Sequence, residues 1–345
     1  MSTQKAIVHK SKGVVELVSD APLPTLRDDY INVQTKAVAL NPTDWKSVYS
    51  RTVPGAIAGC DYSGIVEAVG KAVTNGLKVG DRVAGFARGA NQENHQDGSF
   101  AQHITAKGGI QIKLADHITF EEAATLGVGI TTVGQGLYQS LGLPLPPAKF
   151  QEKTSILIYG ASTATGTLAV QFAKLSGCEV IATASPRNFD LLRKLGADQV
   201  FDYRSQDVGS KIREATNNKL ALVFDCISEG LSPLICCEAI GSAGGKYSAL
   251  LKVTELPRDD VSNALTVGYT AIGEDFVAGQ YTYPASKEDY EFAVKFWKVA
   301  EGLINEGKIK AHPVKVMGGL AGIPGGLQDL KDGKVSGEKL VYRVE

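Results

Sequence analysis

Residues 155–166, with the sequence SILIYGASTATG, decide the fold of the second half of this chain. The apolar run 155–159 is typical of a buried strand, and a helical pattern begins at Thr165. Gly160 and Gly166 allow a tight turn in which the backbone can approach a pyrophosphate, and Thr163 stands where a third, middle glycine would be. The turn alone is also compatible with a structural role. Its position between a strand and a helix N-terminus favours a nucleotide-binding site.

An alternation of strands and helices continues after this turn. The strands are continuously apolar rather than alternating, which indicates a parallel sheet with both faces covered by helices. The predicted strands are 155–159, 179–183, 199–201, 221–225 and 245–250, and the predicted helices are 165–175 and 189–195.

The chain from residue 5 to about 122 has a different pattern, of short strands broken by glycine-rich turns. Residues 31–40 alternate between apolar and polar, as in a strand with one buried face. This pattern predicts a small, strongly bent β-domain. The last strand, 338–344, resembles this first domain, so we expect the C-terminus to return to it. We therefore predict an α/β protein with one domain formed by 1–125 and 276–345, and another by 126–275.

Composition excludes several functional classes. A net charge of −1 argues against nucleic-acid binding, which needs a concentrated positive surface. No apolar run approaches the ~20 residues of a membrane span, and the first residues lack a secretory signal. A cytoplasmic location is therefore expected. The five cysteines form no C-x-x-C pair, which predicts free thiols rather than disulfides or a zinc ribbon.

The segment after the second strand of the parallel sheet bears on the choice of cofactor. Enzymes that use NAD commonly hold the ribose 2′-OH with an acidic residue here, yet no carboxylate occurs between Val180 and Asn188. Ser185, Arg187 and Asn188 instead offer donors for a 2′-phosphate, which predicts NADPH. A second interpretation, compatible with the first, is that Ser185 and Asn188 cap the following helix.

Several segments together resemble the medium-chain dehydrogenase/reductase superfamily, over the whole chain. More narrowly, the five segments from residue 129 onward resemble the stand-alone enoyl reductases that serve fungal highly reducing polyketide synthases in trans. The resemblance implies a GroES-like β-rich catalytic domain, a Rossmann domain with a doubly wound parallel sheet, and NADPH as cofactor. The segments that carry it are 41–46 (NPTDWK), 59–64 (GCDYSG), 79–83 (VGDRV), 129–132 (GITT), 159–165 (YGASTAT), 185–191 (SPRNFDL), 200–204 (VFDYR) and 336–340 (SGEKL).

The resemblance also implies site residues, each taken from a matching position. The implied NADPH contacts are Thr43, Asp44, Trp45, Lys46, Ser162, Thr163, Ala164, Thr165, Ser185, Pro186, Arg187, Asn188, Tyr203, Ala249, Leu250, Val335 and Ser336. The implied substrate-binding residues are Val133, Gly134, Gln135, Gly136, Leu137, Tyr138, Gln139, Ser140, Gly268, Tyr269, Thr270, Ala271 and Ile272.

The metal ligands of zinc-dependent relatives are replaced in this sequence. In those relatives a cysteine and a Gly-His-Glu histidine hold the catalytic metal, whereas Asn41 and Cys60 occupy the corresponding places here. Catalytic zinc needs three protein ligands, and amide side chains are poor ones. The structural zinc lobe is also missing, since residues 87–100 contain no cysteine. We therefore predict a zinc-free enzyme.

Without a Lewis acid, reduction of an activated double bond is the natural chemistry. Hydride adds to the β-carbon of an α,β-unsaturated carbonyl, donors stabilise the charge on its oxygen, and the α-carbon takes a proton. Lys46 is the first catalytic candidate, as a positioner of the nicotinamide ribose or a member of a proton relay. Thr132 is the second, as an orienter of the carboxamide or of the substrate carbonyl. The alternatives are a solvated lysine and a helix-packing threonine.

Three functions remain open from the sequence. The first is reduction of acyl chains tethered to the carrier domain of a separate polyketide synthase, docked on a basic rim such as Arg51, Arg88 or Lys107. The second is reduction of small diffusible enones or quinones by a stand-alone NADPH enzyme. The third is a non-catalytic NADPH-binding regulator.

Overall fold

Residues 3–50, 53–278 and 281–345 are described by a computed structural model, and the chain divides into two units. The first unit is Met1–Thr131 with Tyr269–Glu345, and the second is Thr132–Gly268. The second unit thus begins at 132 rather than 126 and ends at 268 rather than 275. The reason is local packing within the first unit. There the backbone N–H of Val128 donates to Asp61, and the Tyr269 ring stacks on Phe86.

The strands and helices of the described residues have the following bounds. The strands are β1 (Thr3–Ser11), β2 (Val14–Pro22), β3 (Tyr30–Ala39), β4 (Asp61–Val69), β5 (Arg82–Phe86), β6 (His103–Lys107), β7 (Gln111–Lys113), β8 (Thr154–Tyr159), β9 (Cys178–Ala184), β10 (Gln199–Asp202), β11 (Leu222–Asp225), β12 (Gly245–Ala249), β13 (Val261–Leu265), β14 (Phe276–Ala278), β15 (Tyr281–Tyr283), β16 (Val314–Val316) and β17 (Lys339–Arg343). The α-helices are α1 (Pro42–Ser50), α2 (Phe120–Ala123), α3 (Gly127–Val133), α4 (Ala164–Leu175), α5 (Phe189–Lys194), α6 (Val208–Ala215), α7 (Ser232–Ala239), α8 (Lys287–Asn305) and α9 (Ile323–Lys331). A π-helix covers Gly134–Ser140, and 3₁₀ turns cover Pro186–Asn188, Gly268–Ile272 and Leu320–Gly322.

The second unit contains the parallel sheet predicted from the sequence. In the described part of the chain it has six strands in the order β10-β9-β8-β11-β12-β13, and every neighbouring pair is parallel. Strand β8 lies in the interior of the sheet, and Ile156, Leu157 and Ile158 are fully buried there. Because both faces of such a strand are covered, its sequence is apolar without alternation. The strand order reverses direction between β8 and β11.

The first unit is built on a mostly antiparallel sheet, in which only the described pair β16–β17 is parallel. Within the described residues its main path is β16-β17-β3-β4-β5-β7, with β6 also paired to β3. Strand β3 shows the alternation seen in the sequence, because Ile31 and Val33 are fully buried while Asn32 and Gln34 are half-buried. Strand β17 pairs antiparallel with β3, with Val341 opposite Ala39. The C-terminal segment therefore belongs to the same sheet as the first strands.

Candidate functional site

The turn between β8 and α4 is tight and contains both glycines singled out in the sequence. Gly160 adopts a φ of +70°, and its N–H donates to Thr183 Oγ1 at 3.0 Å. Thr163 begins the helix, since its Oγ1 accepts the N–H of Gly166 at 3.0 Å. A Cβ on Gly166 would lie 2.5 Å from the Gly160 carbonyl oxygen, so a glycine is required there. The threonine in the middle of the turn thus acts as a helix cap.

The predicted cofactor segments of this unit share one edge of the parallel sheet. Residues 162–165 follow β8, residues 185–188 follow β9, Tyr203 follows β10, and Ala249 ends β12 with Leu250 after it. In a parallel sheet all carboxyl ends of the strands lie at the same edge. The structure therefore places these segments along one edge, on both sides of the point where the strand order reverses.

The structure does not show the helix-capping role considered for Ser185 and Asn188. Neither side chain makes a capping hydrogen bond at the 3₁₀ turn or at the start of α5. Tyr203 is 42% exposed, and its ring meets the Tyr159 ring edge-on at 6.5 Å between centroids. The guanidinium of Arg204 lies 5.8 Å from the Tyr203 ring centroid. Donors and an aromatic face are thus present where a phosphorylated ribose and an adenine would bind.

A buried carboxylate organises this edge and was missed in the sequence analysis. Asp225 at the end of β11 accepts the N–H groups of Ile227 and Ser228, both at 2.9 Å. It also accepts the hydroxyls of Ser232 at 2.6 Å and Tyr247 at 2.8 Å. Ser228 in turn accepts the N–H of Leu250, a predicted cofactor contact. The signal in the sequence was the single polar residue at the end of an apolar strand.

In the first unit, helix α1 carries the predicted contacts from Thr43 to Lys46. Asp44 is buried, and its carboxylate accepts the backbone N–H of Asn41 at 2.7 Å. Burial raises the pKa of Asp44 to about 7, and the nearby Asp61 acts in the same direction. Lys46 is half-buried, with its Nζ 5.6 Å from the Trp45 ring centroid.

A cluster of hydroxyl and thiol groups adjoins this helix. The Tyr269 hydroxyl lies 2.8 Å from Thr43 Oγ1 and 3.6 Å from Cys60 Sγ. The Tyr269 ring stacks on Phe86 and contacts Phe276 edge-on, with centroids 5.7 and 5.8 Å away. Burial raises the pKa of the Cys60 thiol. Tyr269 is among the substrate-binding residues that the resemblance implies, and its contacts with Thr43 and Cys60 were not predicted from the sequence.

Lys339 places a buried positive charge beside Asp61 and Asn41 in the first unit. Its ammonium is buried and donates to Asp61 Oδ2 at 2.5 Å, to Asn41 Oδ1 at 2.9 Å and to the Thr125 carbonyl at 3.2 Å. Burial lowers the pKa of His312 to about 3, and the positive charge of Lys339 acts in the same direction with a smaller effect.

A zinc ion does not fit the residues that stand at the ligand positions of the zinc-dependent relatives. The Asn41 oxygen is already taken by the Lys339 ammonium, and that charge would repel a second cation beside it. Over residues 3–50, 53–278 and 281–345, no three His, Cys, Asp or Glu side chains are grouped to hold a metal ion.

The other predicted residues differ in burial. Thr132 and Val133 at the end of α3 are buried, as are residues 134–138 of the following π-helix, where a Cβ on Gly136 would come within 2.3 Å of the Phe224 ring. In the turn Gly268–Ile272, Ala271 and Ile272 are buried while the first three residues are half-buried. Val335 packs on the core of the first unit, and Ser336 is exposed.

The basic rim considered for docking a carrier domain is not exposed. Arg88 is buried, donates to the Val277 carbonyl and pairs with Glu93. Lys107 is also buried and pairs with Asp29 and Glu274. Arg51 lies outside the described residues.

Among the described residues, no helix is both long enough and apolar enough to span a membrane.

Comparisons with known protein families agree with the two units. The description "Alcohol dehydrogenase GroES-like domain" matches residues 27–122, and "Zinc-binding dehydrogenase" matches residues 164–244. The chain is 60% identical over 347 residues to the trans-enoyl reductase ACTTS2 of Alternaria alternata, covering all of both chains. It is 48% identical to the trans-enoyl reductase resD of Aspergillus sclerotiorum, covering 99% of this chain and 100% of the relative.

Solved structures show the same fold at low sequence identity. The CurK enoyl reductase superposes with a TM-score of 0.79 at 20% identity, with full coverage of both chains. A quinone oxidoreductase from Coxiella burnetii superposes with a TM-score of 0.74 at 23% identity, again with full coverage. The predicted fold class, a GroES-like β-rich domain with a Rossmann sheet, is confirmed.

Proposed function

The chain belongs to the trans-enoyl reductase family, an oxidoreductase family acting on C=C bonds, and we propose that it uses NADPH to reduce α,β-unsaturated acyl thioesters carried by a separate polyketide synthase. The acyl chain would be presented on the synthase's acyl carrier domain. A nicotinamide cofactor is typical of the family; its 2′-phosphate, the carrier domain and the site residues are parts of this proposal.

The carboxyl edge of the parallel sheet is the observation that supports NADPH most directly. The tight turn at Gly160 and Gly166 leads directly into the start of α4, and a glycine turn between a strand and a helix N-terminus is the arrangement that binds dinucleotides. The neighbouring turn after β9 carries Ser185 and Arg187 and no carboxylate, so a 2′-phosphate meets donors rather than a negative charge. Residues 162–165, 185–188, Tyr203, Ala249 and Leu250 would hold this cofactor.

The chain's own side chains would position and polarise the substrate. The substrate β-carbon accepts a hydride, which is the chemistry that NADPH supplies when bound. Lys46 on α1 would hold the ribose beside the nicotinamide, with Thr43, Asp44 and Trp45 of the same helix. The Thr132 hydroxyl would orient the carbonyl on which negative charge develops. Val335 and Ser336 would complete the cofactor contacts, and residues 133–140 and 268–272 would border the acyl chain.

The decisive experiment compares two substrates with the purified enzyme and NADPH. One is an α,β-unsaturated acyl-pantetheine thioester and the other is a simple quinone. We expect NADPH consumption with the thioester and a saturated product by mass spectrometry, with little turnover of the quinone. Preference for the quinone would support the stand-alone reductase instead. If Lys46→Ala loses no activity, a non-catalytic NADPH-binding role is supported.

The preference for NADPH has its own test at Ser185. Ser185→Asp introduces the acidic residue that NAD enzymes use, so we expect weaker NADPH binding by about tenfold or more and improved use of NADH. Ser262→Asp is the matched control, because Ser262 is exposed on β13, the outermost strand of the same sheet. Equal use of both cofactors by the wild-type enzyme would contradict the proposed preference.

A further inference from the structure

The Tyr269 hydroxyl is held in a fixed position by both its ring and its oxygen. The ring is stacked on Phe86, with 27° between the planes, and meets Phe276 at 67°. The oxygen lies within hydrogen-bonding distance of Thr43 Oγ1 and Cys60 Sγ. Tyr269 as a whole is half-buried, so part of this residue is open to solvent.

The two partners of this hydroxyl can return a proton to it. A threonine hydroxyl and a cysteine thiol each carry one hydrogen and can also accept one. Burial raises the pKa of Cys60, so its thiol stays protonated near neutral pH. Thr43 is half-buried and therefore has a side open to solvent. A proton lost from the phenol can thus be replaced through Thr43 from water.

We propose that Tyr269 is the catalytic acid that protonates the substrate α-carbon, with Thr43 as the residue that returns its proton. This inference rests on the proposed function. Hydride addition forms a C–H bond at the β-carbon, and the π-electron pair moves onto the α-carbon and thioester oxygen as an enolate. The Tyr269 O–H bond then breaks as the α-carbon C–H bond forms. The phenolate takes a proton from Thr43, which takes one from water.

Tyr269 suits this role better than the two candidates named from the sequence. A phenol has a reference pKa of about 10, far closer to neutral than that of an aliphatic alcohol such as Thr132, and is the better acid. Lys46 shares helix α1 with Thr43 and lies over the Trp45 ring, and the proposed function assigns it to the cofactor ribose. Tyr269 also falls in the segment implied to contact substrate, whereas Lys46 does not.

The test uses Tyr269→Phe in the full-length enzyme, with NADPH and an enoyl-pantetheine thioester in D₂O. We expect kcat to fall by about 10²-fold or more, as for loss of a general acid. The wild-type product should carry deuterium at the α-carbon in one configuration, and the variant product in both, because water can approach from either face. NADPH affinity, read by fluorescence titration, and the melting temperature should stay unchanged because the ring remains.

Tyr283→Phe is the matched control, since Tyr283 also packs on the Phe276 ring, at 4.7 Å between centroids. It should keep the rate and the single deuterium configuration of the wild type. Thr43→Val is a second variant that does not disturb the tyrosine ring. At saturating NADPH it should lower kcat by about tenfold, with the KM for the thioester nearly unchanged. It should also raise the solvent isotope effect, since proton return becomes slow.

Two outcomes separate this inference from the proposed function. If the wild-type enzyme reduces the thioester and Tyr269→Phe keeps both its kcat and a single deuterium configuration, the inference is overturned and the proposed function stands. If the wild-type enzyme does not reduce the thioester with NADPH, the proposed function fails and the inference with it. Should Tyr269→Phe fold poorly, an unchanged rate and isotope effect in Thr43→Val would overturn the inference instead.

Discussion

Each unit of the chain buries a carboxylate beside its predicted cofactor contacts, and the two are satisfied in different ways. Asp61 in the first unit is neutralised by the ammonium of Lys339, which is distant in sequence. Asp225 in the second unit is held by uncharged donors, two backbone N–H groups and the hydroxyls of Ser232 and Tyr247. All four of these donors lie within 22 residues of Asp225.

This difference shows that a buried carboxylate can be stabilised either by residues nearby in sequence or by a residue far away in sequence. The carboxylate of the second unit is satisfied by the turn and the strand that follow it, as in a self-contained strand–turn–helix arrangement. The carboxylate of the first unit depends on closure of the sheet by the last strand. A buried ion pair becomes costly once one partner is removed, because the remaining charge has no solvent to compensate it. We therefore expect a substitution at the Asp61–Lys339 pair to destabilise the protein more than a substitution at Asp225.

The largest effect is expected for Lys339→Met. This change leaves Asp61 buried without its counter-charge, so we expect a loss of about 3–5 kcal/mol in the free energy of unfolding, measured with urea. The double variant Asp61→Asn with Lys339→Met removes both charges and should recover much of this loss. A single variant with nearly wild-type stability would show that the pair contributes little.

Asp225→Asn should have the next largest effect. The amide keeps an acceptor for the N–H groups of Ile227 and Ser228 but turns a donor toward two hydroxyls, and we expect about 2 kcal/mol of destabilisation. Because Ser228 holds the N–H of Leu250, NADPH affinity should also fall. Asp260→Asn is the control, since that carboxylate is exposed and paired with Arg258, and little change is expected there. If NADPH binding is unaffected, Asp225 is only a structural residue.

Gly166→Ala tests the close approach in the nucleotide turn. The new Cβ would lie 2.5 Å from the Gly160 carbonyl, so the turn must open, which we expect to cost about 1–2 kcal/mol and to weaken NADPH binding. Gly325→Ala on the exposed side of α9 meets no atom within 4 Å and should stabilise the protein slightly, because alanine favours helix. Equal NADPH affinity in both variants would contradict a pyrophosphate site at this turn.

The smallest effect concerns the pH dependence contributed by Asp44. Its pKa of about 7 in the folded state lies above the value of 3.8 for an unburied aspartate, so the folded state retains a proton that the unfolded state releases. Stability from this group therefore falls as pH rises from about 4 to 7 and is lowest above 7. Between pH 6 and 8 the change should be about 1 kcal/mol.

Asp44→Asn removes this titration while keeping an acceptor for the Asn41 N–H. Thermal unfolding of both proteins at pH 6 and pH 8 should therefore give a smaller difference for the variant. An identical pH dependence in the two proteins would show that Asp44 does not titrate between pH 6 and pH 8.

Much of the second unit was predictable because its signals are local. The apolar runs gave β8 to β12, and the helix predicted from Thr165 is α4, which starts one residue earlier because Thr163 caps it. The strand order also places the loops at 160–166, 185–188 and 203 on one edge, since parallel strands all end on the same side. Ser185 and Asn188 do stand at the N-cap positions of the 3₁₀ turn and of α5, but neither side chain makes a capping hydrogen bond, because that bond depends on side-chain direction, which composition does not reveal.

The amino-acid sequence by itself determined the fold class, the β-rich and parallel-sheet regions, and the glycine-containing turn after β8. These are properties of short segments, set by hydrophobic periodicity, glycine placement and residue chemistry. Only the tertiary structure decided that Lys339 neutralises Asp61, that Arg88 and Lys107 are buried in ion pairs, and that Tyr269 meets Thr43 and Cys60. Apart from the Arg88–Glu93 pair, these contacts join residues far apart in sequence, and they form only once the sheet has closed.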